Sequence, residues 1–263
     1  MEKTSKQTSY KITRMLVPLW SLTAGSFKKS IRFNLKNLFG YADSEIISHE
    51  KKILENFCLT LHDFFQPQKV HFHIRDKEKL EAIRQKHGGV LFLTFHLGHW
   101  ELGARIMQSW GWPVTAVYQP YQNRFFKRLI ESKRAPGVNF LAVGAKAAKG
   151  VRDALKRKEI VAMLGDHPFG EEGTPVKILN RKVLWPKGPI LLAVKEKAPI
   201  IVAVIIRIKD HEYEAIIEEP LIPTNSTRAE IDKLVQEVAS KFEHLLIQNI
   251  DQWYRFRAFT FVD

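Results

Sequence analysis

The chain has 263 residues, of which 45% are hydrophobic and 26% charged, and this ordinary globular composition excludes disorder as the default. Cys58 is the only cysteine, which excludes an intrachain disulfide and cysteine-clustered zinc or iron–sulfur sites and indicates a reducing compartment. The 41 Lys and Arg residues exceed the 28 Asp and Glu residues, so the net charge is +13. This charge predicts an anionic partner: a nucleic acid, a phospholipid surface or an acidic carrier protein.

Positive charge is concentrated at the N-terminus, where residues 1–36 contain Glu2 as their single acid. The longest uncharged run, residues 15–27, is interrupted by Pro18 and falls short of the roughly 20 residues that a membrane-spanning helix needs. The sequence therefore predicts no transmembrane helix. We expect residues 1–43 to form a basic amphipathic segment, whose apolar side chains either lie on a membrane surface or pack on the body of the protein.

From residue 44 onward, helical and β-rich runs alternate. A helix over 44–65 is followed by strands and helices in turn, which predicts crossover connections and an α/β fold with a mostly parallel central sheet flanked by helices. Residues 213–218 are expected to form an antiparallel neighbour, and a last helix begins at Thr227 with a capping box to Glu230. We therefore predict one domain over 44–263. The expected strands are 70–74, 90–95, 114–118, 140–143, 160–164 and 200–208, and the expected intervening helices are 77–86, 100–110, 124–133, 145–156 and 189–197.

One strand end carries chemistry. The apolar run 89–95 ends at His96, and Glu101 falls on the first turn of the next predicted helix. Ligands bind at the carboxyl ends of strands in open α/β sheets. A neutral histidine there can take the proton of an acceptor hydroxyl as it attacks a thioester carbonyl, while a carboxylate fixes the imidazole tautomer. The spacing by itself is common by chance.

The string from His96 to Arg105 resembles the motif of a histidine, four residues and a glutamate in bacterial lipid A biosynthesis acyltransferases, which belong to the lysophospholipid acyltransferase superfamily. Further blocks resemble the same family in the same order, over roughly residues 40–260. They are 117–120 with Asn123, Leu129, Ile130 and Arg134, then 164–166, 173–176 through 186–189, and 251–257.

The resemblance implies an acyltransferase with a glycerolipid acyltransferase-like fold. His96 becomes the general base and Glu101 its partner. No cofactor is expected beyond the co-substrate, an acyl thioester of acyl carrier protein or coenzyme A. The acceptor is a hydroxyl or amine of a lipid or glycolipid, as in lipid A biosynthesis. The implied location is the cytoplasmic face of the bacterial inner membrane, in peripheral contact with anionic lipid.

Four residues are candidates for substrate binding. Arg134 could hold a phosphate or carboxylate bidentately, or be a surface arginine on a helix. Asp166 follows a buried strand as His96 does, so it either belongs to the same rim or caps backbone amides in a turn. Lys187 and Gly188 could place donors near a phosphate or oxyanion, although their sequence also suits a simple helix start.

The chain departs from the family pattern at His99, His167 and Asn180, and the family's N-terminal membrane anchor is expected to be absent. These differences favour an acceptor other than the usual lipid A precursor. The alternative function is a catalytically inactive basic protein that binds lipid or docks a carrier. Nucleic-acid binding is disfavoured because no nucleic-acid-binding motif is present, and no metal site is predicted, since His71 and His73 lack further ligands.

Overall fold

The protein is described from a computed structural model covering residues 2–75, 77–120, 123–144, 146–167 and 173–262. Helices and strands alternate over residues 43–164, as the sequence predicts. The helices are α1 (Glu2–Thr23), α2 (Gly25–Asn34), α3 (Asp43–Phe65), α4 (Lys77–His87), α5 (Trp100–Ser109), α6 (Arg124–Glu131), α7 (Ala147–Lys156), α8 (Gly188–Glu196) and α9 (Arg228–Gln248). The strands are β1 (His71–His73), β2 (Val90–Thr94), β3 (Val114–Tyr118), β4 (Asn139–Ala142), β5 (Ile160–Leu164), β6 (Thr174–Ile178), β7 (Arg181–Trp185), β8 (Ile200–Lys209) and β9 (Glu212–Ile217).

Among the described residues, seven strands form a central sheet in the order β1-β9-β8-β2-β5-β3-β4. The neighbours from β8 to β4 are all parallel, whereas β9 is antiparallel to β8. The predicted α/β class with a mostly parallel sheet is confirmed, and so is the antiparallel neighbour. Strands β2 and β5 lie in the middle of this sheet and are buried along most of their length. Their carboxyl ends therefore open at the centre of one sheet edge.

A hairpin of β6 and β7 was not predicted. Its strands pair antiparallel around the two-residue turn Leu179-Asn180, where both residues have positive φ angles of 47° and 64°. Two-residue hairpin turns usually have the sequence Asn-Gly or Asp-Gly, so the sequence Leu-Asn does not indicate a turn. Val176 and Ile178 pack with Phe242 of α9 in the main core, and this contact outside the hairpin fixes it in place.

The N-terminal helices divide their apolar side chains between two environments. Val17, Ala24 and Ile31 are buried in a cluster with residues of α3, whereas Met15 and Leu22 are each 78% exposed. Packing on the body of the protein therefore holds for part of this segment, and contact of its exposed side chains with a membrane stays a prediction. In the part of the chain that the structure describes, no helix combines the length and apolarity required to span a bilayer.

The start of α9 differs in one detail from the predicted capping box. The Thr227 hydroxyl accepts the backbone N–H of Glu230, as expected. The Glu230 carboxylate does not complete the box with Thr227 but accepts hydrogen bonds from the amide and hydroxyl of Thr224, at 3.1 and 2.9 Å. The helix nevertheless begins where the sequence predicts.

Candidate active site

His96 and Asp166 meet because two neighbouring strands end together. Strands β2 and β5 are parallel, with Thr94 opposite Leu164, so His96 and Asp166 each follow two residues after paired positions. The Nδ1 atom of His96 lies 2.8 Å from Oδ1 of Asp166. The backbone N–H of His96 donates to Oδ2 of the same carboxylate at 3.2 Å. Asp166 therefore lies on the same rim of the sheet as His96, and its carboxylate also caps a backbone amide. Both arrangements that the sequence allowed for this residue are present.

The turn between β2 and α5 needs glycine at position 98. Gly98 has a φ of +68°, and a Cβ there would lie 2.1 Å from the carbonyl oxygen of Ile205. The next residue donates its backbone N–H to that same carbonyl at 2.7 Å. This close approach to β8 lets the chain leave β2, present His96 at the sheet edge and start α5 at Trp100.

The environment of Asp166 keeps its carboxyl ionised. Burial by itself raises the pKa of Asp166, but the charge and hydrogen bond of His96 and the Arg255 guanidinium outweigh burial, so the pKa lies below its usual value. An ionised carboxylate only accepts hydrogen bonds, so Nδ1 of His96 carries a proton, and in the neutral imidazole Nε2 is then the acceptor. The imidazole is 29% exposed while Asp166 is fully buried. The pair can therefore present a basic nitrogen to a ligand.

Glu101 does not form the predicted hydrogen bond with His96; the carboxylate in contact with the imidazole is that of Asp166. Glu101 faces Arg134, with Oε1 and Nη2 3.7 Å apart. Burial raises the pKa of Glu101, and the guanidinium partly offsets this. Asp166 rather than Glu101 meets His96 because Asp166 follows the strand paired with β2, whereas Glu101 lies on the first turn of α5, a helix that packs on β3 and β8.

Arg134 is buried, with 6% of its side chain exposed, so it is not the surface arginine that its neighbour Lys133 could suggest. Its guanidinium lies 4.2 Å from the ring centre of Tyr118 and 4.5 Å from that of Phe140. Its Nε and Nη1 atoms are buried without a hydrogen-bond partner among the described residues. These two nitrogen atoms can therefore donate hydrogen bonds to a ligand in the cavity described next.

A cavity of about 560 Å³ opens at His96. It lies against one face of the sheet, where small side chains leave room: Ala116 of β3 is directly paired with Ala162 of β5. Its lining runs from Trp100 at the start of α5 to Trp110 just beyond its end, a length of about 15 Å at the helical rise per residue. The walls are mainly apolar, and Arg134 and Arg257 also line it.

The other predicted binding residues lie elsewhere. Lys187 and Gly188 are exposed at the start of α8 and do not line this cavity; their contact with substrate stays a prediction. His99 is buried between Phe64 and Tyr213, and burial lowers its pKa to about 3. It is a neutral packed residue.

Sequence reasoning assigned no role to the residues after α9. The backbone N–H of Tyr254 donates to the carbonyl of His96 at 2.6 Å, and the Arg255 guanidinium donates to the backbone carbonyl of Asp166. Arg257 lines the cavity. The resemblance of 251–257 to a family block was the available signal, but it named no function for any single residue.

A second group of titratable side chains lies apart from this pair. His62, Asp63 and His211 offer possible ligand atoms within 4.8 Å of one another. Both oxygens of Asp63 already accept hydrogen bonds, from the hydroxyls of Tyr10 and Tyr213 and from the two histidines. A metal ion there would have to displace these partners. The group is best described as a buried hydrogen-bond network.

An Asp–His pair at the carboxyl edge of an α/β sheet, above an apolar cavity, defines a candidate site for chemistry on a molecule with a long apolar part. Residues 23–258 match the sequence profile of the bacterial lipid A biosynthesis acyltransferases. The chain belongs to this family and is therefore a lipid acyltransferase by family.

Comparison with solved structures gives the crystal structure of the 1-acyl-sn-glycerophosphate acyltransferase PlsC from Thermotoga maritima. It is 14% identical and matches over 92% of this chain and 98% of its own, with a TM-score of 0.43. No curated protein matches the chain significantly. The family assignment rests on the sequence profile.

Proposed function

We propose that the protein transfers a fatty acyl chain from an acyl thioester to a hydroxyl or amine of a lipid or glycolipid, with His96 as general base. The observation that supports this most strongly is the hydrogen bond of His96 to the buried Asp166 at the opening of the apolar cavity. The cavity has the lining that an alkyl chain requires. The family is the second support.

The reaction needs no covalent enzyme intermediate. The acceptor oxygen or nitrogen attacks the thioester carbonyl while Nε2 of His96 takes its proton. The tetrahedral intermediate collapses, the carbon–sulfur bond breaks, and the imidazolium returns the proton to the departing thiolate. The products are an ester or amide and a free thiol. Asp166 holds Nδ1–H and stabilises the imidazolium in between.

Glu101 and Arg134 act beside this pair rather than within it. The buried guanidinium has two donors free of partners among the described residues, so it can bind an anionic group or the developing oxyanion of the substrate. Glu101 holds the guanidinium at the wall of the cavity. Removing Glu101 should therefore weaken binding at Arg134 without changing the tautomer of His96.

The donor is the thioester of acyl carrier protein or coenzyme A, and the excess of basic residues suits either of these anionic molecules. We place the protein at the cytoplasmic face of the bacterial inner membrane. The exposed side chains Ile12, Met15, Leu16, Leu19 and Leu22 of α1 and the exposed Lys29 suit shallow contact with anionic lipid.

Replacing Leu16 and Leu19 together by Ser should lower binding to anionic vesicles, and undiminished binding in a sedimentation assay would contradict this contact.

Turnover is tested by incubating the protein with labelled long-chain acyl carrier protein or acyl coenzyme A and a membrane lipid extract. We expect a new labelled lipid, and none with His96→Ala. His244→Ala is the matched control, because His244 is a surface histidine with 62% of its side chain exposed. If the wild type forms no product while it still binds lipid or carrier, the inactive binding protein is the better description. Equal product with His96→Ala would refute the mechanism.

A further inference from the structure

The segment after α9 brings a second arginine to the opening of the cavity. It is attached at Tyr254 to the backbone of His96 and at Arg255 to the backbone of Asp166. Two residues further on, Arg257 is exposed and lines the same cavity as His96. The position of Arg257 is thus tied directly to both members of the Asp–His pair.

Asn34, at the end of α2, fixes the backbone around this arginine. Its side chain is fully buried. Its amide group donates to the carbonyl of Arg257 at 2.9 Å, and its own oxygen accepts the backbone N–H of Phe259 at 2.9 Å. The same amide nitrogen also lies 3.4 Å from the carbonyl oxygen of Arg255, so a buried residue of α2 holds the main chain on both sides of Arg257. An exposed arginine on a merely fraying C-terminal tail would not need such support.

His167 orients the guanidinium without neutralising it. Nη1 of Arg257 lies 2.7 Å from Nε2 of His167. Burial, and then the nearby Arg255 and Arg257, lower the pKa of His167 to about 4, so the imidazole is neutral and accepts the hydrogen bond. A neutral acceptor uses one of the five guanidinium donors and leaves the charge in place.

The charge of Arg257 has no carboxylate partner within ion-pair distance among the described residues. The buried carboxylate of Asp166, the residue before His167, is already engaged by His96. Arg134 differs, because Glu101 faces it. Within the described ranges, the opening of the cavity thus has an oriented, exposed guanidinium that no carboxylate neutralises, and its planar donors match the oxygens of a phosphate.

We propose that Arg257, oriented by His167, binds a phosphate group of one of the two substrates. This rests on the proposed function for the identity of the substrates, but not for the binding of phosphate itself. Contacts run from His96 to Asp166, the residue next to His167, and from His167 to Arg257, so a phosphate bound here lies close to the reacting hydroxyl. The phosphate of a phosphopantetheine donor is separated from its thioester by the whole pantetheine chain. The geometry therefore points to a phosphate on the acceptor.

Binding is tested by the thermal unfolding of the full-length protein in glycerol 3-phosphate and in glycerol. We expect glycerol 3-phosphate, but not glycerol, to raise the unfolding midpoint of the wild type, and this shift to be lost in Arg257→Gln. Arg228→Gln is the control, since its side chain is 96% exposed at the start of α9. No shift in the wild type, or an equal shift in Arg257→Gln, overturns the proposal.

His167 is tested by two substitutions in the same experiment. His167→Phe removes the acceptor and should weaken the phosphate-dependent shift, whereas His167→Gln supplies an amide oxygen and should restore it. An unchanged shift in His167→Phe contradicts the orienting role. His96→Ala should keep the shift while losing turnover, which separates failure of the phosphate subsite from failure of the proposed function.

Kinetics distinguish the two sources of phosphate. With lysophosphatidic acid as acceptor, Arg257→Gln should raise KM about tenfold or more with little change in kcat, and with a monoacylglycerol it should change neither. If the phosphate belongs to the donor, KM rises instead for lauroyl coenzyme A and not for lauroyl-S-N-acetylcysteamine, which lacks phosphate. Unchanged KM values for both phosphate-bearing substrates overturn the proposal.

Discussion

Two buried aspartates of this protein each contact histidine at nearly the same distance, yet their surroundings differ. Asp63 lies 2.7 Å from Nδ1 of His211, and Asp166 lies 2.8 Å from Nδ1 of His96. Both carboxyls have a pKa below the usual value, because their hydrogen-bond donors outweigh the effect of burial. Distance and ionisation therefore do not tell the two apart.

The difference lies in what the histidine can reach. His211 is buried, with 2% exposure, and Asp63 is also saturated by the hydroxyls of Tyr10 and Tyr213. His96 is partly exposed and lines the cavity. A buried Asp–His contact thus becomes a candidate catalytic pair when its imidazole faces space for a substrate. The Asp63 network joins α1, α3 and β9, which is a structural role.

The largest expected effect is on turnover, when the His96–Asp166 pair is changed. Asp166→Asn should lower kcat by about 10³- to 10⁴-fold, because the amide can hold the imidazole in the wrong tautomer and cannot stabilise the imidazolium. Asp63→Asn should leave kcat close to the wild-type value. Acyl transfer measured at saturating donor and acceptor checks both. Comparable losses in the two variants would remove the distinction.

The next largest effect is on stability, when the hydrogen-bond network of Asp63 is changed. Asp63→Ala should lower the free energy of unfolding by about 3 kcal/mol, since it leaves two tyrosine hydroxyls and two imidazoles without their shared acceptor. Urea unfolding followed by circular dichroism measures this. A loss below about 1 kcal/mol would mean that water replaces the carboxylate and that the network is not a main link to α1.

His99 differs from His96 and His211, because it is a buried imidazole with no hydrogen bond to a carboxylate among the described residues. Its pKa in the folded state is about 3, below the ordinary 6.5, so the unfolded chain binds more protons between these values. The contribution to stability is complete above pH 6.5 and is lost as the pH falls toward 3. Protonation of His99 alone should therefore lower the free energy of unfolding by about 2 kcal/mol between pH 7 and pH 5. In His99→Leu this part of the pH dependence of urea unfolding should disappear; an unchanged slope would show that His99 is not its source.

The smallest effect concerns the cavity that distinguishes the two regions. Ala162→Leu adds a side chain where β5 faces Ala116, so it should shift donor preference toward shorter acyl chains with little loss of stability, because empty space accepts the added volume. Competition between labelled donors of different length measures the preference. Ala239→Leu on α9, in the filled core, should instead lower stability by about 1 to 3 kcal/mol without shifting chain preference.

Several elements could be predicted because their signal is local. Strands β3 and β5 agree with the prediction at every residue, since short apolar runs bounded by helical patterns have few other solutions. The β6–β7 hairpin could not be predicted in this way. Its turn lacks glycine, and its apolar side chains gain their environment only from α9.

The candidate site was predictable in part. The end of an apolar strand indicated His96, and a similar strand end placed Asp166 on the same rim. Glu101 was expected beside His96 because five residues separate them, yet spacing along the chain does not fix which way a helical side chain faces. Arg257 lies more than 150 residues away from His96, and nothing local links the two.

The sequence by itself determined the alternation of strands and helices, the rim that carries His96 and the family to which the chain belongs, because these follow from short-range periodicity and contiguous motifs. Only the tertiary structure decided which carboxylate meets the imidazole, which aspartate stays purely structural and which arginine reaches the cavity. Those choices depend on strand order and register, and on a C-terminal segment held by Asn34. Each is a long-range contact whose partners the local sequence does not specify.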